Sequence, residues 1–149
     1  EILAEFTWGM SREDVRSLCT DAGLQFYVGG EDDGINIEDS RYRCYFDETG
    51  GLSALTIQTG SSRDERFTVD ETTLEEVQQI VTDVGGSLTL LTPAGDNPWE
   101  IWQYADTAQG TRYWFTVFQG KVTVITEKQL TAETFDGQQD YKSVLLMEN

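Results

Sequence analysis

Hydrophobic residues recur along this chain with a helical period in two places and with a strand period in most of the rest. Val15, Leu18, Cys19 and Ala22 stand at i, i+3, i+4 and i+7, which is one apolar face of a helix. Ser11 precedes them as a natural N-cap with an acid three positions on at Asp14, and Gly23 follows as a left-handed stop. Val77, Ile80, Val81 and Val84 form a second such face, between Thr73 and Gly85. Helices are predicted over 11–22 and 73–84. After each helix the period changes to two, which predicts strands over 24–28, 41–47 and 52–58, then over 87–91, 99–105, 111–118 and 121–126. Turns fall at 48–51, 106–110 and 119–120, the stretch 29–40 reads as a glycine- and acid-rich loop, and 61–66 reads as a polar linker. Residues 142–147 could add a strand or cover an edge.

The two helical segments echo each other. Ser11-Arg12-Glu13-Asp14-Val15 returns as Thr73-Leu74-Glu75-Glu76-Val77, and Thr20-Asp21-Ala22-Gly23 returns as Thr82-Asp83-Val84-Gly85, both 62 residues on (11 to 73, 20 to 82). Arg41-Tyr42 matches Arg112-Tyr113 at the longer spacing of 71 (41 to 112). These echoes predict an α+β fold made of two tandem copies of a helix followed by an antiparallel sheet, sharing one compact domain. The first copy would occupy 1–60, the second 61–128, and 129–149 would be a C-terminal extension.

Alternation assigns faces within this scheme. Tyr42, Cys44 and Phe46, like Tyr113, Phe115 and Val117, are expected on the helix side. Arg41, Arg43 and Tyr45 fall opposite, and so would Trp102, Tyr104, Trp114, Thr116 and Phe118. That second group is too aromatic for an ordinary solvated face. Sheet-core packing is one reading of any single member; a partner surface with Trp102, Tyr104, Trp114 and Phe118 as anchors is the other.

Charge narrows the class of partner. The 149 residues hold 27 Asp and Glu against 10 Lys and Arg, a net charge of -17. The excess is spread along the chain: 12 acids and 4 bases in 1–60, 11 and 5 in 61–128, 4 and 1 in 129–149. A field of this sign repels nucleic acid and anionic membrane and attracts basic protein surfaces, although acidity also serves solubility alone. The densest cluster, Glu31, Asp32, Asp33, Glu38 and Asp39, reads either as a solvated loop or as an acidic docking rim. Calcium is disfavoured there, because placing Gly34 at the glycine of an EF-hand loop puts Gly29 and Ser40 at its first and last ligand positions. No metal and no cofactor is expected.

Catalysis has little to work with. The chain has no histidine, which removes the Ser–His and Cys–His dyads and the usual imidazole metal ligands. No dinucleotide fingerprint, P-loop, nucleophile elbow or zinc-protease motif occurs, so no enzyme is expected. Cys19 and Cys44 both fall on core positions, either as two buried thiols or as a helix-to-sheet disulfide. A disulfide would imply an oxidising compartment, periplasm or outside the cell, and free thiols would suit a bacterial cytoplasm. No apolar run reaches the length of a membrane span. Glu1 is not an initiator Met, so the lack of a leader carries no information.

The opening Phe6-Thr7-Trp8-Gly9-Met10-Ser11-Arg12-Glu13-Asp14-Val15, with Phe118, Gly120 and Val122 further on, resembles two related groups: the β-lactamase inhibitor protein family and the BamE/SmpA outer-membrane lipoproteins. Gly9, Met10, Ser11 and Val15 match the helix start of these groups; Asp70-Glu71-Thr72, before Thr73, does not. The resemblance implies a tandem helix-plus-antiparallel-sheet fold and a bacterial source, without naming a target. The expected function is a non-enzymatic protein-binding module, an inhibitor or immunity-type protein that neutralises a basic partner. The alternative is a periplasmic or lipoprotein-type scaffold in an envelope assembly.

Overall fold

Both helices form where their caps and apolar faces place them. In the computed structural model, which describes residues 2–29, 34–92, 95–96 and 98–131, α1 spans Arg12–Asp21 and α2 spans Leu74–Asp83. Ser11 Oγ accepts the Asp14 N–H at 3.1 Å. Thr73 closes a full capping box, its Oγ1 accepting the Glu76 N–H at 3.2 Å while Glu76 Oε1 accepts the Thr73 N–H at 3.0 Å. Each helix buries a narrow stripe, Val15 and Cys19 on α1 and Val77 and Val81 on α2. The chain ahead of each helix is stitched to a strand. Gly9 N–H donates to Leu52 O and Leu52 N–H to Met10 O, both at 2.8 Å. Ahead of α2, Leu74 N–H donates to Gly120 O at 2.8 Å and Val122 N–H to Thr72 O at 2.9 Å. Gly9 sits at φ +91, and a Cβ on Gly51 would come within 3.1 Å of its Cα, so this crossing needs glycine on both sides.

The strands are β1 Phe26–Gly29, β2 Gly34–Ile37, β3 Tyr42–Phe46, β4 Leu52–Ile57, β5 Leu88–Thr92, β6 Trp99–Asp106, β7 Thr111–Phe118 and β8 Lys121–Gln129. They form one antiparallel sheet in the order β1-β2-β3-β4-β8-β7-β6-β5. This corrects the expectation of two tandem helix-plus-sheet copies: the protein is mostly a single eight-stranded sheet with two helices. The pairing that overturns it joins β4 to β8, with Ala54, Leu55, Thr56 and Ile57 opposite Lys128, Glu127, Thr126 and Ile125. Two separate four-stranded sheets would each have left an exposed edge here, and pairing the two removes both. The sequence echo marks where two helices start; it carries no information on how the strands close.

Two further expectations change. The stretch 29–40, read as a loop, contains β2, whose Ile35 and Ile37 are wholly buried beside Cys44 and Tyr42 of β3. The stretch 61–66, read as a polar linker, crosses the helix side of the sheet and is tied down there. Residues 142–147 lie outside the described residues.

Cross-strand register builds the core. Val28, Ile35, Cys44, Leu55, Glu127, Tyr113, Tyr104 and Leu88 are successive partners across all eight strands. This row and its neighbours meet Val15, Cys19, Val77 and Val81 of the helices. Leu3 from the N-terminal 3-10 turn (Ile2–Glu5), Phe6 just after it, and Phe67 and Val69 from the crossover complete the core. Helix-side placement of Tyr42, Cys44, Phe46, Tyr113, Phe115 and Val117 matches the alternation, and all six are buried.

Candidate functional site

The hairpin β6–β7 decides what the proposed aromatic anchors do. Its turn, Thr107–Gly110, pairs Asp106 with Thr111, so even-numbered residues of β6 share a face with odd-numbered residues of β7. Tyr104 therefore faces Tyr113, with stacked rings 5.8 Å apart, and Trp102 faces Phe115. Both lie on the helix side, against expectation. Tyr104 is 3% exposed, and Trp102 is half-buried against the core, its Nε1–H donating to Glu100 Oε1 at 3.3 Å. Trp114 does lie on the opposite face but is 0% exposed, its indole N–H held by Gln103 Oε1 at 2.8 Å. Alternation fixes the side of a residue, not its exposure. Trp102, Tyr104 and Trp114 do not form one accessible anchor. Phe118 is the member that reaches the surface, half-buried and packed on Trp99 at 4.7 Å between ring centroids, and Trp99 is itself 40% exposed.

The largest polar cluster is one that a polar-linker reading conceals. Glu127 occupies the middle of the core row and is 1% exposed. Arg63 reaches it from the crossover, Nη1 to Oε1 at 2.9 Å, and also donates from Nε to Phe6 O at 3.1 Å. The guanidinium lies 4.6 Å from the Trp8 ring, and Trp8 Nε1–H donates to Thr111 Oγ1 at 2.9 Å. Beside this pair, Arg66 bridges Asp64 at 2.6 Å and Asp106 at 2.7 Å, and Tyr113 O–H donates to Asp64 Oδ2 at 2.8 Å. Burial raises the Glu127 carboxyl to about 7, against the lowering pull of Arg63. Burial would also raise Asp64, but hydrogen bonds from Arg66 and Tyr113 hold it below the usual carboxylate range. Tyr113 is pushed up by burial and by the charges of Glu127 and Asp64. Perturbed groups of this kind can mark an active site. Here each is engaged in an ion pair or hydrogen bond within the crossover, and the cluster straps the chain to the sheet.

The acidic rim is also redistributed. Glu31, Asp32 and Asp33 lie outside the described residues. Glu38 closes the β1–β2 hairpin, its Oε2 accepting the Gln25 N–H at 3.1 Å and its own N–H donating to Gln25 O at 2.9 Å. Glu38, Asp39 and Ser40 take φ values of 51, 56 and 70 in succession, a left-handed turn that only Asp39 fully exposes. A shallow depression of about 340 Å³ beside it is lined by Leu24, Glu38, Arg41, Tyr42 and Ser61 among others. Among the described residues no group of acids, cysteines or histidines is placed to hold a metal.

Cys19 and Cys44 are both buried and stand as free thiols in this structure. Burial raises the Cys19 thiol to about 11 and pushes Cys44 up as well, with each other's proximity adding to the rise at Cys44. Neither is a reactive thiolate.

One stretch of the chain does concentrate charge. From residue 67 to 111 there is no Lys or Arg, whereas Asp70, Glu71, Glu75, Glu76, Asp83, Asp96, Glu100 and Asp106 all fall within it. Asp106 is buried against Arg66, Glu100 is half-buried, and the other six are exposed. The span comprises α2, β5 and β6; Trp99 and Phe118 are at the same end of the sheet, on its face away from α2. Sequence reasoning averaged this asymmetry away by counting charge in longer blocks; the gap between Arg66 and Arg112 was there to be read.

No family model matches the sequence, and no curated protein matches it. Among solved structures it is similar to a DUF4309 family protein (YjgB) from Bacillus subtilis, with 14% sequence identity, a TM-score of 0.46, and coverage of 80% of this chain and 78% of that one. At that level the likeness says nothing of what the chain does. Among the described residues no helix is long and apolar enough to cross a membrane.

Proposed function

We propose that this protein is a non-enzymatic binding module that takes a basic protein partner at the α2–β5–β6 end of its sheet. The observation that carries this reading is the run of 45 residues, 67–111, with eight acids and no base; the partly exposed Trp99–Phe118 pair lies at the same end of the sheet, on the face away from α2. An excess of charge of one sign accelerates encounter with an oppositely charged partner, and an accessible aromatic supplies affinity once water is displaced. The carboxylates of unusual acidity, Glu127 and Asp64, are held in ion pairs of the core, which supports a binding role over an acid–base one. An inhibitor or immunity-type protein fits this description. A scaffold in an envelope assembly is the second reading, which a Cys19–Cys44 disulfide in the native protein would favour.

Affinity capture from the native host at moderate salt, mass spectrometry of what is retained, and reconstitution with the purified candidate test the reading. The expected result is a basic protein whose binding weakens as ionic strength rises and is largely lost with Trp99→Ala. Retention of an acidic protein, or a complex indifferent to both salt and Trp99→Ala, would overturn it.

A further inference from the structure

The face of the sheet turned away from the helices is buried at its centre, with no described element over it. Asn36, Arg43, Thr56, Thr126, Trp114 and Gln103 are successive partners across it, and Ala54, Lys128 and Arg112 form the next row. Trp114 and Ala54 are 0% exposed, Thr126 1% and Arg112 4%. Yet Trp114 and Ala54 are no part of the core that α1, α2, the 3-10 turn and the crossover cover on the other side. Strand side chains stand roughly perpendicular to the sheet, so an indole between Gln103 and Thr126 loses all its water only under something laid across it. The patch is also basic on an acidic protein. Arg43, Arg112 and Lys128 stand on it, and none of the described strand residues facing this side is Asp or Glu; Asp47, just past β3, draws Lys128.

Burial is deepest toward the end where β8 leaves the sheet. Trp114 pairs with Thr126, three positions before Gln129, whereas Thr116 and Phe118 are half-buried and Trp99, at the far end, is 40% exposed. Beyond Thr131 the chain continues for 18 residues, 132–149, enough to span up to about 60 Å when extended. Residues 30–33 join β1 to β2 and reach about 7 Å at most, while β7 lies four strand spacings from β2, roughly 19 Å. Residues 93–94 and 97 flank the exposed Trp99 end. The stretch 132–149 has the complementary chemistry: Glu133, Asp136, Asp140 and Glu148 against Lys142 alone, with Phe135, Tyr141 and the apolar run 144–147.

We infer that residues 132–149 lie across this face as an intramolecular cover, apolar residues over Trp114 and acids answering Arg43, Arg112 and Lys128. A cover of this kind closes the middle of the face to other molecules and leaves Trp99 accessible.

Nuclear Overhauser contacts of the Trp114 indole, measured in the full isotope-labelled chain, test this directly. The expected result is contacts to residues within 132–149 that persist, within one chain, when labelled and unlabelled protein are mixed. No contact to that stretch, or contacts only between labelled and unlabelled chains, would overturn the inference, the latter by making a second copy the cover. Val144→Ser/Leu145→Ser/Leu146→Ser/Met147→Ser should speed exchange of the Trp114 indole N–H about tenfold while amides of α1 and α2 keep their protection. Unchanged exchange in a folded variant would also overturn it; if the variant unfolds, the contacts in the unaltered chain decide.

Discussion

Replacing Arg63 with alanine removes the cation that neutralises a carboxylate in the middle of the sheet. Glu127 is 1% exposed, and Arg63 Nη1 at 2.9 Å is the basic group bonded to it. At pH 8, above the value of about 7 to which burial raises Glu127, breaking the buried ion pair from one side strands a charge in a poorly solvating medium, which costs about 3–5 kcal/mol. Each kcal/mol lowers the melting temperature of a chain this size by roughly 2–4 °C, so the drop is about 6–20 °C. Arg63→Ala also loses the stacking on Trp8 and the bond to Phe6 O, which do not involve Glu127. A double-mutant cycle with Glu127→Gln separates the two contributions. Urea unfolding followed by circular dichroism measures all four proteins. The expected result is that Arg63→Ala/Glu127→Gln is more stable than Arg63→Ala alone, with a coupling energy of about 1–3 kcal/mol. Additive losses would show that the arginine acts through Trp8 and Phe6 and that the carboxylate is indifferent to it.

Three other outcomes follow from the same structure. Glu127 keeps its proton in the folded state up to about 7 while the unfolded chain loses it near the ordinary value of 4.5, so stability falls as pH rises between these two values; urea midpoints at pH 5 and pH 8 should show this, and Glu127→Gln should flatten it. Asp64 has the opposite sign, its lowered pKa contributing stability that is lost as pH falls below the usual carboxylate range. Trp114→Ala should cost about 3–5 kcal/mol because the ring is fully buried, whereas Trp99→Ala should cost under about 1 kcal/mol in stability and act on binding, as thermal melts would show. Cys19 and Cys44 should resist a thiol reagent in the native protein and react only at the rate of unfolding, since burial both shields them and keeps them protonated.

What could be read from the sequence was local. Ser11 and Thr73 announced their helices because a capping oxygen and an acid three residues on act within one turn. Alternation in 42–46 and 113–117 named the buried face correctly because a strand's period needs no knowledge of its neighbour. Relations between strands were hidden. Whether Trp102 lies with Phe115 or with Trp114 depends on how the 107–110 turn sets the register, and a one-residue change reverses it. β2 escaped because Ile35 and Ile37 alternate for only four residues in the middle of an acidic run. Arg63 and Arg66 looked like linker residues because charge in a sequence suggests water, and their partners Glu127 and Asp106 stand 64 and 40 positions away. The junction of β4 and β8, which makes one sheet of the strands, has no local signature.

The central claim, a basic partner at the acidic α2–β5–β6 surface, is tested most directly by the salt dependence of association kinetics. The protein to compare with wild type is Asp83→Asn/Asp96→Asn/Glu100→Gln, with the reconstituted partner and ionic strength varied from about 0.02 to 0.3 M. Over that range the screening length shortens from roughly 20 Å to under 10 Å, so steering by surface charge is largely lost. The account predicts that the wild-type association rate falls about tenfold or more, that the triple variant starts slower and falls less, and that dissociation rates stay alike. Identical salt slopes for the two proteins would contradict it and place the partner on another face.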